Sequence, residues 1–345
     1  MNTSKRNLIV GEIFVGFFFG FAIQKCNVYL PSIVRDQMEI KNFTMIKIIL
    51  SFISASTIST TLLNYFRMIK LEFLPIIYRR NLIGGILMGV GIYVCGACPG
   101  IALPQVPIFY SSIFTIIGGI VGGVVYGYCD PYVQKKFPAQ KQSFSTIFQY
   151  FNVSMQTITI PFVILNIIAL YFLEQWYPSQ IESSNKTTIF GSLTNQIWSP
   201  IVSGTIMGLM QIPSYLISGV DIGASSAYVS IGAFFLKKYT PLENYFKTFL
   251  KSPKTYQILF DFGALLGSFA SSLFNPPPKN YPTTNVGTIV VNLIGGFLII
   301  FGARFADGCT SGSISAMSKT EIGSFITLSS VFFGGILFCY IFNSL

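Results

Sequence analysis

The chain contains no histidine, and of its 345 residues only 10% are charged, against about 25% in a soluble domain. With no imidazole there is no histidine base, and no metal-spaced cluster stands in its place. A Gly-Lys-Ser/Thr phosphate loop is also missing, which argues against ATP hydrolysis on this chain. The first apolar run, 8–23, is followed by Gln24 and Lys25 without a small-residue cleavage site, so no removable leader is expected. The net charge of +10 does not form one basic patch, and nucleic acid is not an expected partner. Six cysteines would fit a disulfide framework only in a small secreted domain; here most sit in apolar or Gly-rich segments, so free thiols are expected.

What the chain does hold is hydrophobic surface: 52% of residues, 34 of them Phe. Apolar stretches of the length that crosses a hydrocarbon core of about 30 Å recur along it. Nine are expected, at 8–24, 44–64, 82–97, 111–128, 151–173, 200–217, 257–273, 286–303 and 321–342. Four shorter pieces are broken by Pro or Gly: 25–36, 98–108, 218–236 and 309–320. Backbone of that kind survives at membrane depth only inside protein or beside a cavity, so these read as re-entrant segments. The chain is expected to be an all-α polytopic membrane protein in a lipid bilayer.

Two phrases in it match without a gap. Residues 84–100 and 295–311 superimpose Gly84 and Gly85 on Gly295 and Gly296, Gly91 on Gly302, and Cys98 on Cys309. Lys and Arg concentrate at 65–81, 129–150 and 237–256, which places the N-terminus in the cytoplasm by the positive-inside rule. Residues 1–150 then form one half, 151–199 a connector helix with a polar loop, and 200–345 a second half. One connecting span inverts the second half against the first, an arrangement that sets a substrate site at the repeat interface. A sequon at Asn185-Lys186-Thr187 falls in the outer loop, and Pro276-Pro277-Pro278 makes a stiff turn. Gly16/Gly20 and Gly204/Gly208 read as helix-contact faces.

The chemistry concentrates in the broken segments. Cys98 is followed by Pro99 and Gly100, and Cys309 by Thr310, Ser311 and Gly312. A Pro or Gly there ends the preceding helix and turns backbone N–H groups toward whatever sits beside the thiol. Half-helix N-termini favour anions, and a thiol adds a weak donor with a polarisable surface. Together these suit a sulfur-containing anion; the plainer reading is that cysteine is a small residue for close packing. Cys26, after the first span, is either a pathway thiol or packing. Cys95 makes a Cys-x-x-Cys with Cys98, though no βαβ context supports a redox pair. Cys129 and Cys339 read as packing. Arg304 either draws an anion into the cavity or pairs with Asp307 at i, i+3. Asp221, with Ser225 and Ser226, is expected to help line the route, while Arg35 and Asp36 read as caps of the first re-entrant piece.

These elements, Gly96-Ala97-Cys98-Pro99-Gly100 and Gly302-Ala303-Arg304-Phe305-Ala306-Asp307-Gly308-Cys309-Thr310-Ser311-Gly312, resemble those of the YeeE/YedE-type sulfur-transport family, which includes thiosulfate uptake proteins. The family's histidine after the second element is Ser313 here, and its cysteine near the first re-entrant piece aligns with Tyr29. The resemblance implies an hourglass of pseudo-symmetric halves and a central path on which Cys98 and Cys309 hand thiosulfate along. The expected function is therefore transport of thiosulfate or a related small sulfur anion, without enzyme activity or cofactor, at the plasma membrane. A soluble sulfur acceptor is left open. The rival is a membrane-embedded sulfurtransferase carrying a persulfide on Cys98, for which no neighbouring base or lysine is evident.

Overall fold

The computed structural model describes residues 3–138, 144–179, 197–236, 242–250, 253–276 and 286–344. The sequon and most of the Pro276–Pro278 turn lie outside them, as does part of the basic segment 237–256. Sixteen α-helices follow in order: α1 (Thr3–Lys25), α2 (Pro31–Met38), α3 (Thr44–Tyr65), α4 (Tyr78–Cys95), α5 (Pro99–Gln105), α6 (Ser112–Lys136), α7 (Ile147–Tyr150), α8 (Met155–Trp176), α9 (Pro200–Leu209), α10 (Gln211–Ser218), α11 (Ser225–Leu236), α12 (Glu243–Leu250), α13 (Gln257–Ser272), α14 (Val286–Phe305), α15 (Thr310–Met317) and α16 (Ile322–Asn343). Among the described residues the one extended pairing is a bridge between Thr146 and Glu321.

Among the described residues, eight segments are long and apolar enough to cross a membrane. The chain is an all-α, multi-pass membrane protein. The ninth expected span is α13, a shorter helix of 16 residues. It is bounded by a 3-10 turn at Pro253–Tyr256 and by Pro276, and at 1.5 Å per residue reaches only about 24 Å. The span expected at 200–217 is broken at Met210, which closes α9 and opens α10. Pro213 in the next turn lacks the N–H that would bond back across the break. All four broken segments contain short helices, α2, α5, α11 and α15, of 8, 7, 12 and 8 residues.

Small residues set the packing, as they must where lipid supplies no hydrophobic drive between helices. Antiparallel helices α4 and α14 meet through the repeated phrases. A Cβ on Gly84 would lie 2.5 Å from the Gly302 carbonyl oxygen, and one on Gly91 would lie 2.7 Å from that of Gly295. Each glycine thus faces the sequence counterpart of the other. Gly16 and Gly20 close onto the backbone of α13 at Phe260 and Ala264, while Gly204 and Gly208 close onto α3 at Ile48 and Phe52. In both places the partners run parallel. Likewise α4 runs parallel to α16, and α6 to α14. Helix α8 stands at the periphery, with Ile160, Leu165, Tyr171 and Trp176 exposed toward lipid.

Candidate functional site

Cys98 and Cys309 occupy equivalent places by equivalent means. Helix α4 ends at Gly96, whose φ of 68° is left-handed and whose N–H bonds to Ile92 O at 2.8 Å. The chain extends through Cys98, the N-cap of α5, with Pro99 in the first turn. Helix α14 ends at Phe305, Asp307 takes the left-handed turn at φ 60°, and Cys309 is the N-cap of α15. The two caps have nearly the same backbone, φ −107° and ψ 171° at Cys98 and φ −97° and ψ 175° at Cys309. Asp307 therefore sits where the first cysteine turn has Gly96, and among the described residues it forms no ion pair with Arg304.

The thiols face different surroundings. Gly312 N–H donates to Cys309 Sγ at 3.3 Å, and Ser311 Oγ lies 3.3 Å from the same sulfur. Cys98 faces the Thr310 hydroxyl in the first turn of α15. The Pro99 carbonyl accepts from Tyr228 at 2.9 Å, which ties α5 to α11. A Cβ on Gly100 would lie 3.7 Å from Ser311 Cβ, so the first turns of α5 and α15 face each other.

Three cavities follow one another past these residues. One of about 420 Å³ is lined by Cys26, Asn27, Lys47 and Trp198. A central one of about 60 Å³ is walled by Phe19, Ile48, Phe52 and Val331 and reached by Cys98, Thr310 and Ser311. The third, of about 330 Å³, holds Cys309, Gly312, Arg304, Asp221 and Lys319. The first turn of α15 is the partition: Cys309 and Gly312 face the large vestibule, and Thr310 and Ser311 the central cavity.

Arg304 is 8% exposed, donates to Ser225 Oγ, stacks 5.3 Å from the Phe249 ring centre, and leaves Nε without a partner. It makes no ion pair among the described residues, so its charge remains available in the vestibule. The sequence reading missed Lys319, whose ammonium lies 2.7 Å from Asp221 and 2.9 Å from Glu321 and donates to Glu72 O at 3.0 Å. Its signal was an isolated cation in a Gly- and Ser-rich membrane segment. Burial alone would push that ammonium's pKa down; Asp221 and Glu321 more than reverse this and hold it above the ordinary lysine range. Asp221 is thus an anchor for Lys319, and it also accepts from Tyr215.

Cys26 lines the first vestibule and donates to Ile23 O at 3.3 Å. Cys95 lines none of the three cavities: its sulfur donates to Gly91 O at 3.2 Å, and it packs where a Cβ on Gly295 would be 2.6 Å away. Arg35 caps α4 rather than its own segment, donating to Tyr93 O at 3.1 Å and Val94 O at 2.8 Å. All six cysteines are free.

The model of a family described as sulphur transport matches residues 25–337. The chain belongs to the sulphur transport family. The match takes in both cysteine turns, Arg304 and Lys319, and the helices from α2 to α15 with most of α16. No curated protein matches the chain. Membership in the sulphur transport family, with the membrane helices, makes this a sulfur-related membrane transporter.

Proposed function

We propose that the protein moves thiosulfate, or a related small sulfur anion, past Cys26, Cys98 and Cys309 in turn. The observation that carries this is the succession of three cavities, each reached by one of these thiols, with the last two thiols at matching half-helix N-caps. Arg304 concentrates the anion in one vestibule, and the first-turn N–H groups and thiols replace part of its hydration. Several donors must act together, because a bare dianion in hydrocarbon is prohibitively costly. No covalent step is needed. The halves 1–150 and 200–345 are read as inverted repeats, a reading supported by the reciprocal contact of Gly84 and Gly91 with Gly302 and Gly295 and by the parallel pairs α1–α13 and α3–α9. The basic connectors support an N-terminus in the cytoplasm, and a plasma-membrane location follows from an uptake role.

Uptake of sulfur-35-labelled thiosulfate into proteoliposomes tests the reading. Wild type accumulates label, while Cys98→Ala and Cys309→Ala each lose most of it at equal protein content. Cys309→Ser, which keeps a side-chain acceptor for Gly312 N–H, separates loss of the cap from loss of the thiol. Full uptake in both alanine variants would end the proposed role of the thiols.

A further inference from the structure

Helix α13 carries a carboxyl that passage of the anion does not use. Asp261 is 3% exposed, its Oδ2 has no hydrogen-bond partner, and no lysine or arginine among the described residues pairs with it. Four elements pack against α13, namely α1, α5, α11 and the turn at Pro253–Tyr256. From α1 comes Glu12, itself 3% exposed and bonded to Ser218 across α10, with Lys5, Arg6 and Lys25 confined to the helix ends. Helix α5 brings only Cys98 at its N-cap. Helix α11 brings Tyr228, which interacts with Asp261 electrostatically but gives its hydroxyl proton to Pro99 O. The 3-10 turn carries Tyr256 and, by sequence, Lys254. Beyond these, Cys309 at the N-cap of α15 interacts with Asp261 electrostatically.

A carboxylate at membrane depth with no countercharge is costly, and such groups mark proton relays in pumps and transporters. Asp261 also has a way to water. Gln257 lies one turn earlier on the same helix face, lines the Arg304 vestibule, and leaves its own Oε1 without a partner. Gln257 and Asp261 therefore share one face of α13, and Gln257 reaches the vestibule that holds Cys309, the thiol proposed to hold the anion and one that Asp261 feels electrostatically. Moving an anion into an interior held negative is uphill in proportion to its charge, and a proton carried along reduces the charge moved.

We propose that Asp261 is the proton site of a proton-coupled anion transporter, an inference that rests on the transport reading above. A proton adds to the Asp261 carboxylate while the anion sits at the Cys309 turn, and it returns to water when the anion has left. No electron is transferred. In proteoliposomes, labelled thiosulfate uptake is measured with and without an imposed pH gradient, alongside thiosulfate–thiosulfate exchange at equal pH. Wild-type uptake is expected to be stimulated by external acid, with an internal pH dye reporting acidification on thiosulfate addition. Asp261→Asn loses the stimulation but keeps exchange, and Asp261→Glu recovers it. Stimulation that persists in Asp261→Asn overturns the proposal. So does wild-type uptake that ignores the pH gradient, or that answers only to a sodium gradient. If the Asn variant fails to fold, the wild-type dye signal still decides. Absence of exchange in the wild type removes the transport reading, and this proposal with it.

Discussion

Replacing Lys319 by Met breaks the wall of the Arg304 vestibule at its most heavily bonded point. The ammonium is 2.7 Å from Asp221 and 2.9 Å from Glu321, with the Lys319 side chain 4% and that of Glu321 3% exposed. Removing one partner of a buried ion pair costs about 3–5 kcal/mol, because the other charge is left uncompensated. Asp221 has a side chain 30% exposed, so water recovers part of its share, and the expected loss is about 3 kcal/mol. Lys319→Met/Glu321→Gln removes the more deeply buried of the two stranded carboxylates, leaving the part-exposed Asp221, and should regain most of that loss. Stability is read in detergent with a thiol-reactive fluorogenic dye, since Cys26, Cys95, Cys98, Cys309 and Cys339 are all buried and free. The folded state holds the Lys319 proton more tightly than the unfolded chain does. Its contribution is therefore complete below the ordinary lysine pKa of about 10.4 and is lost only as pH climbs through the raised folded value. The gap between wild type and Lys319→Met should stay constant near neutral pH and close in strong alkali. Losses that add in the double variant would refute the ion-pair argument.

Two further predictions concern the site and the packing. Arg304→Gln removes a buried, unpaired cation of the vestibule, and losing a charge-assisted contact worth about 1.5–3 kcal/mol should raise the KM for thiosulfate by roughly tenfold or more. An unchanged KM would place the anion elsewhere. Gly89→Ala puts a Cβ 2.7 Å from Gly335 N and closer still to Val331 O, so α4 and α16 must separate at a cost of about 1–3 kcal/mol. Gly100→Ala meets only the Phe19 ring at 3.5 Å and Ser311 Cβ at 3.7 Å and should melt near the wild type. Equal melting of both variants would contradict the packing account.

Residue order alone carried the membrane class, since composition and run length decide whether a segment prefers lipid. It also carried the broken segments, because Pro99 and Gly96 act through their own backbone limits, and the contact faces at Gly16/Gly20 and Gly204/Gly208. The likeness of the two cysteine turns was legible because Gly and Cys recur at one spacing. Other properties depend on groups far apart in the chain. Arg304 and Asp307 have the spacing of a helical ion pair, but the turn at Asp307 is left-handed and the guanidinium reaches Ser225 and Phe249 instead. Cys95 and Cys98 are three residues apart, yet one packs on Gly295 and the other reaches the central cavity. The network around Lys319 joins Glu72, Asp221 and Glu321, and the Asp261 carboxyl becomes distinct only once no cation among the described residues pairs with it. Local propensity and hydrophobic length are properties of a segment and can be read from it. Burial, countercharge and access to a cavity are properties of how segments meet, so for these residues only the tertiary structure decides.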